Sequence, residues 1–448
     1  RTVVFCVVFR LINCFLVQSS FVPDEYWQSL EVSHHMVFNE TYGYLTWEWK
    51  SGLRGFSYPL VFAFIYKILY YINCDSAYLL ANMPRIFQAL LAAFADVKFF
   101  FLIRTLENRD TAAWTVSTYT TVSTTEAAKW LVVHCSYVAF GVFKKYVALV
   151  SLAFIVRPTA LIVWLPLLIY HFWKEDDKLK LVTHTFFPIG ASALVVSTLI
   201  DCIFYEKWTL VQFNFLKFNV LHSVADFYGS HPWHWYFTQG FPVVIGPHLP
   251  LFLHGCFLAF KRYKVLLAAV LWTLVIYSFL PHKEFRFIYP VLPFCLVFSG
   301  GFLTVVFLHR HRGFNTSPTA GISLASLKSW RRAAAFFLLV SNLAAGLYTG
   351  LIHQRGPLDT MSHLGTLCDI SSISSPPQPD VLFLMPCHST PFYSHVHCPI
   401  TMRFLECPPD LGEDGYIDEA DRFYDNPLLW LRTSFPYKHS VPTHLVLF

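Results

Sequence analysis

Along this chain apolar positions gather into long runs instead of alternating with polar ones. Runs near 2–18, 86–103, 146–170, 181–203, 241–260, 264–280, 286–308 and 333–352 each approach the roughly 20 residues that carry a helix across a bilayer. They predict an all-α, polytopic membrane protein. A ninth stretch, SYPLVFAFIYKILYYI at 57–72, holds Lys67 and is rich in tyrosine, which suits an interfacial or re-entrant helix better than a span. The first run resembles a signal-peptide core in length, but Gln18-Ser19-Ser20 is a poor cleavage site, so a retained first helix is expected. The chain opens at Arg1 rather than Met, and residues upstream of it are expected.

The polar intervals give the runs a direction. Basic clusters at Arg104 to Arg109, Lys174 to Lys180, Lys261 to Lys264 and His309 to Arg332 belong on the cytosolic side by the positive-inside rule. If 57–72 does not span, parity leaves the 19–85 loop, the 204–240 loop, the His282-Lys283-Glu284 turn and the 353–448 tail together on the opposite, luminal side. The expected organisation is a transmembrane module over 1–352 followed by a small luminal C-terminal segment, 353–448. One interval, 110–145, resists this pattern. It must cross once, yet its apolar part, WLVVHCSYVAFGVF, has only 14 residues, and the TVSTYTTVSTTEAAK before it reads as neither span nor ordinary loop.

Composition agrees with the run lengths. Hydrophobic residues make up 55% and charged residues 14%, against about 25% charged in soluble domains. The net charge of +5 sits in short clusters beside the apolar runs and suits topology signals, not a nucleic-acid surface. Seven of the 11 cysteines lie in or near spans, as small buried hydrophobes do. Cys368, Cys387, Cys398 and Cys407 gather in the tail, where one or two disulfides in any of three pairings are open; their spacing matches no zinc site. The sequon at Asn39 falls in the first luminal loop and can carry a glycan, whereas that at Asn315 falls on the cytosolic side and is expected to stay bare.

Three polar elements on the luminal side could carry chemistry. FVPDEYWQSLEVS at 21–33 sets Asp24 and Glu25 where the first run ends. A carboxylate there can take the proton of an attacking hydroxyl; a proline followed by acidic residues is equally the start of an ordinary helix. In FLPHKEFRFIYPVLPF at 279–294, His282, Lys283, Glu284 and Arg286 interrupt two spans, a costly placement that is usually functional. Such cations can hold a lipid phosphate, or snorkel and pair locally. In FYGSHPWHWYFTQGFP at 227–242, His231, Trp233 and His234 fit either an aromatic belt or a sugar-stacking wall. A zinc site built on His231 and His234 is the weaker alternative. Arg157, mid-run beside Pro158, is a packed ion-pair partner or a wall of the same cavity.

The segments PDEYWQSLEVSHHMVF, YGYLTWEWKSGLRGFSYPL, TLVQFNFLKFNVLHSVADFYGSHPWHWYFTQGFP and HKEFRFIYPVLPF closely resemble the endoplasmic-reticulum α-mannosyltransferases that use dolichyl-phosphate mannose, glycosyltransferase family 22 of the GT-C superfamily. The likeness is strongest to members that add the third, α-1,2-linked mannose to the glycosylphosphatidylinositol (GPI) precursor. The resemblance implies a GT-C helical bundle with Asp24 as catalytic acid-base residue and Glu25 its neighbour. It assigns His282, Lys283 and Glu284 to donor-phosphate binding and site organisation. It further implies an inverting single displacement, a lipid-linked mannose donor, a GPI-precursor acceptor, no cofactor, no metal and no nucleic acid. A sibling transferase of the dolichol-linked N-glycan precursor and a non-catalytic, transporter-like protein remain alternatives. Three departures stand out: Val22 occupies the family's usual histidine position, 110–145 lacks the Thr-Arg-Thr and Asn-containing stretch expected in the second luminal loop, and the chain stops at Phe448 within the tail.

Overall fold

A computed structural model describes residues 2–20, 25–38, 43–122, 143–221, 227, 229–308, 324–373, 379–409, 416–437 and 441–447. Asp24, Val22 and Asn39 lie outside these residues, as does most of 110–145. Among the described residues, six helices are long and apolar enough to cross a membrane: Ala77–Leu106, Lys178–Tyr205, Tyr236–Ala259, Lys261–Phe279, Phe285–Thr304 and Ala335–Cys368. Shorter apolar helices run over Thr2–Leu16, Pro59–Tyr71 and Ala160–Lys174. The protein is a multi-pass helical membrane protein, as the run lengths predict. The chain groups into two compact units, each assembled from three separate stretches.

One unit comprises Arg1–Cys14, Gln88–Val196 and Tyr228–Tyr348. Its core holds Phe99, Ile103, Tyr146, Trp164, Tyr236, Val270, Leu274, Ile288 and Phe298. The central helix, Leu292–Leu308, is buried at every residue over 292–300, and small residues make that possible. A Cβ on Gly300 would collide with Thr115, and one on Gly255 with the backbone of Phe298. Thr115 belongs to the helix Arg109–Val122, so the start of the serine- and threonine-rich stretch is helical and buries Thr111, Ala112, Thr115 and Val116.

Two apolar runs behave differently from the sequence reading. The run 146–170 is not one helix: it divides into Phe143–Val156 and Ala160–Lys174. Pro158 supplies no N–H and disfavours helical geometry at Arg157 before it, and the break falls at those residues. Conversely, no loop separates 241–260 from 264–280. Leu249–Phe279 runs through the basic cluster with a kink at Tyr263, φ −114° and ψ 25°. The kink is pinned on Glu107, which accepts from the Tyr263 hydroxyl at 2.5 Å and pairs with Arg262 at 3.2 Å.

The other unit comprises Phe15–Phe87, Ser197–Phe227 and Thr349–Phe448. The 57–72 stretch forms Pro59–Tyr71; its 13 residues reach about 20 Å, short of a bilayer core. It buries Phe62, Tyr66 and Leu69 against Leu30, Phe38 and Leu80, leaving Phe64 and Tyr71 exposed. The C-terminal part adds an element the all-α reading did not contain, a three-stranded parallel sheet. Strands β1 (Asp380–Phe383), β2 (Thr401–Phe404) and β3 (His444–Val446) lie in the order β2-β1-β3, with Val381 opposite Met402 and His444. Parallel pairing needs crossovers, supplied by the 384–400 segment and by helices Glu419–Asp425 and Pro427–Ser434. Of the three possible pairings, the cysteines adopt Cys368–Cys398 and Cys387–Cys407.

Candidate active site

The helix that follows the acid pair begins, among the described residues, at Glu25, whose side chain is exposed. Tyr26–Leu30 forms a π-helical turn that continues into Glu31–Phe38. Hydroxyls hold this stretch: Ser29 donates to the Glu25 carbonyl, and Ser33 to the carbonyls of Ser29 and Pro59 at 2.7 Å each. Positions 27, 31 and 34 share one helical face, and that face grips the C-terminal segment between β1 and β2. The Trp27 indole donates to Thr390 O at 2.9 Å. The Glu31 carboxylate accepts from Phe392 N at 2.7 Å, Ser394 N at 3.1 Å and Ser394 Oγ at 2.5 Å. His34 Nε2 meets His397 Nδ1 at 2.9 Å.

Burial governs the charge states of this cluster. Glu31, 1% exposed, is pushed up to about 7 by loss of water, against the pull of its Ser394 and Phe392 donors. His34 is pushed down to about 3 by burial and by the facing His397. His395, whose Nδ1 lies 2.8 Å from Ser394 Oγ and whose ring packs on Tyr26 at 4.9 Å, is likewise pushed down to about 3 by burial and by Arg85. None of Glu31, His34 and His395 stands out in the sequence as a site residue. The partners of Glu31 and His34 lie more than 360 positions away, where no local pattern reaches.

In the other unit, the structure brings two of the sequence motifs together. His231 N donates to Pro281 O at 2.9 Å, and the His231 ring stacks on Trp235 with centroids 4.9 Å apart. His282 is clasped between Gly229 O at 2.9 Å and Glu284 Oε1 at 3.0 Å, and the bond to Glu284 is the main cause of its raised pKa. Arg286 donates to the same Glu284 oxygen at 2.6 Å. The buried Tyr236 hydroxyl donates to Glu284 O at 3.0 Å. HPWHW and HKEFR therefore form one polar knot, from which Trp233 projects, 69% exposed.

Lys283 departs from the role of a cation open to a phosphate. It is 4% exposed, and its ammonium donates to the carbonyls of Leu280 at 2.5 Å and His231 at 2.9 Å, with Pro281 O at 3.5 Å. An ammonium has three protons, and backbone oxygens take them. Lys283 organises the knot; among the described residues here, Arg286 and His282 are the cations nearer solvent. His231 and His234 turn to different partners, His234 Nδ1 to Thr238 Oγ1 at 3.3 Å, so they do not converge as a ligand pair. Arg157, at the helix break, lies next to the knot through Thr159, whose carbonyl sits 3.5 Å from the Tyr277 hydroxyl; Tyr277 in turn stacks on Phe287.

Comparison with known proteins gives these features a family. Residues 1–397 match the profile described as the Alg9-like mannosyltransferase family. The chain belongs to that family. Among Alg9-like relatives, it is 57% identical to "GPI alpha-1,2-mannosyltransferase 3" of Danio rerio, over 99% of this chain and 82% of that protein. It is 54% identical to the Homo sapiens protein of the same name, over 99% and 79%. The Yarrowia lipolytica "GPI mannosyltransferase 3" is 32% identical over 98% of this chain and 86% of its own length. Among solved structures, ArnT from Cupriavidus metallidurans bound to undecaprenyl phosphate aligns with a TM-score of 0.52 at 15% identity, covering 99% of this chain and 89% of ArnT. The Archaeoglobus fulgidus oligosaccharyltransferase gives 0.52 at 12% identity over 90% of this chain and 64% of its own. These two share the fold, the GT-C helical architecture, and this Alg9-like chain is a glycosyltransferase on the same scaffold.

Proposed function

We infer that the protein transfers an α-1,2-linked mannose from dolichyl-phosphate mannose to the GPI-anchor precursor, on the luminal face of the endoplasmic-reticulum membrane. The observation that carries this reading is identity above half, over 99% of this chain, to relatives that bear the name GPI alpha-1,2-mannosyltransferase 3. It favours the GPI acceptor over the N-glycan precursor and over a transporter-like role. The luminal side is supported by the basic clusters between spans and by two disulfides, which persist in oxidising compartments.

In the proposed reaction, the acceptor's 2-hydroxyl oxygen attacks C1 of the β-linked mannosyl phosphate as its proton passes to the Asp24 carboxylate. The bond from C1 to the phosphate oxygen breaks, the electron pair leaves on dolichyl phosphate, and the anomeric centre inverts to α. Glu25 stands beside the base. We assign His282 and Arg286, ordered by Glu284 and Lys283, to the leaving phosphate as cationic donors, Trp233 and His234 to stacking and hydrogen bonding with sugar, and Arg157 to the donor. Phosphate is already a good leaving group, and we propose that the transfer needs no divalent cation.

The test is complementation of cells that lack the third GPI mannosyltransferase. The parent chain should restore GPI-anchored protein at the surface, and Asp24→Asn should not. Equal rescue by Asp24→Asn would overturn the base assignment; failure of the parent, with the protein present in the membrane, would overturn the acceptor.

A further inference from the structure

The segment between β1 and β2 is held in two ways. Its ends are closed covalently, Cys387 to Cys407 and Cys398 to Cys368. Its middle is bonded to a single helical face, through Trp27 to Thr390, Glu31 to Phe392 and Ser394, and His34 to His397. Phe392 and Val396 fill the same small core as Trp27. The central contact is the most heavily bonded in the set, because one buried carboxyl meets two N–H groups and a hydroxyl away from water. A buried carboxyl with this many dedicated donors is expensive to place, and nothing in the proton transfer calls on Glu31.

Glu31 lies six positions after Glu25 along the helix, and Asp24 immediately precedes Glu25 in the chain. Wherever the strap sets Glu31, it therefore sets the entry of that helix. We propose that Glu31 is a positioning residue: by clamping the disulfide-closed strap 390–397 at Phe392 and Ser394, it fixes the helix from Glu25 onward, and through Glu25 constrains the base that precedes it in the sequence. The inference rests on the reading of Asp24 as the base. A base displaced by a fraction of an ångström keeps its substrate but loses its alignment, so the effect belongs in kcat and not in donor affinity.

The test uses the full-length protein in membranes, assayed for mannosyl transfer from dolichyl-phosphate mannose to a GPI-precursor glycolipid and normalised to folded protein. Glu31→Ala should lower kcat roughly 100-fold with the apparent donor KM held within about twofold. Glu31→Gln, which keeps one acceptor, should fall between Glu31→Ala and the parent, and Ser394→Ala, which removes one donor of three, should lose least. Amide exchange over 25–34 and 390–397 should rise roughly tenfold in Glu31→Ala, a readout independent of turnover. Unchanged exchange with unchanged kcat would overturn the clamp. A rise in KM in proportion to the fall in kcat/KM, with kcat intact, would overturn the positioning role and make Glu31 a binding residue. Asp24→Asn is run alongside: if it transfers like the parent, the base reading fails by itself, while the exchange data still decide whether Glu31 holds the strap.

Discussion

Arg10 and Asp96 form a two-point ion pair inside the membrane module, with Arg10 Nε 2.7 Å from Asp96 Oδ2 and Nη2 3.0 Å from Oδ1, at 3% and 0% exposure. The pair fastens the helix Thr2–Leu16 to the helix Ala77–Leu106. Removing one partner leaves a charge stranded in an apolar interior. Arg10→Leu should therefore cost about 3–5 kcal/mol, read as a lower melting temperature of the detergent-solubilised protein. The double variant Arg10→Leu with Asp96→Leu should recover most of that loss. A double variant no better than the single one would mean that the pair contributes more than charge balance.

Lys283 makes a second prediction, because the structure commits its ammonium to carbonyls of Leu280 and His231. Lys283→Met should loosen the knot, and the emission of Trp235, which stacks on His231 and meets Phe285 at a tilt, should shift as transfer activity falls. Lost transfer with unaltered tryptophan emission would return Lys283 to direct contact with the donor phosphate.

The disulfide connectivity is open to direct measurement. Non-reducing peptide mapping should find Cys368 joined to Cys398 and Cys387 to Cys407. Loops of this size are worth about 3 kcal/mol each, so Cys387→Ser with Cys407→Ser should leave the tail markedly more sensitive to protease. A Cys368–Cys387 peptide would refute the observed arrangement.

The membrane module was legible because spans announce themselves by run length, whatever packs against them. Pro158 was equally legible as a helix breaker, yet the apolar residues on both sides of Arg157 joined into one run. At Lys261 to Lys264 the charges suggested a loop, but a kink at Tyr263 needs only one non-helical residue, and Glu107, 156 positions earlier, decides that it forms. The parallel sheet was hidden because its strands have only three or four residues. HPWHW and HKEFR showed their chemistry in sequence, but their meeting through Pro281, Gly229 and Tyr236 did not. Glu31 gave no signal at all: within LEVS it looks like any helix-surface glutamate, and the donors that hold its buried carboxyl, on Phe392 and Ser394, lie more than 360 positions away.

Acidity offers the sharpest separation between the strap's charged groups. Glu31 holds its proton more tightly in the folded protein, up to about 7, so its contribution to stability is present at low pH and is lost as pH rises through that value. His34 and His395 are pushed down to about 3, and His35 and His397 shift the same way, His397 opposed by Asp75. Their contribution is present above the ordinary histidine range and is lost as pH falls. In the parent the two trends oppose each other across mildly acidic pH; of the other groups that face the cluster, Arg85 lowers the His395 value, and burial pushes Tyr66 well above its ordinary range, so its hydroxyl stays neutral there. Glu31→Gln removes one trend and leaves the other. Protection of 390–397 against amide exchange should then fall more steeply in Glu31→Gln than in the parent between about pH 7 and about pH 5. A shallower slope in the variant would mean that the histidines do not bear the acid sensitivity of the strap and that Glu31 itself does.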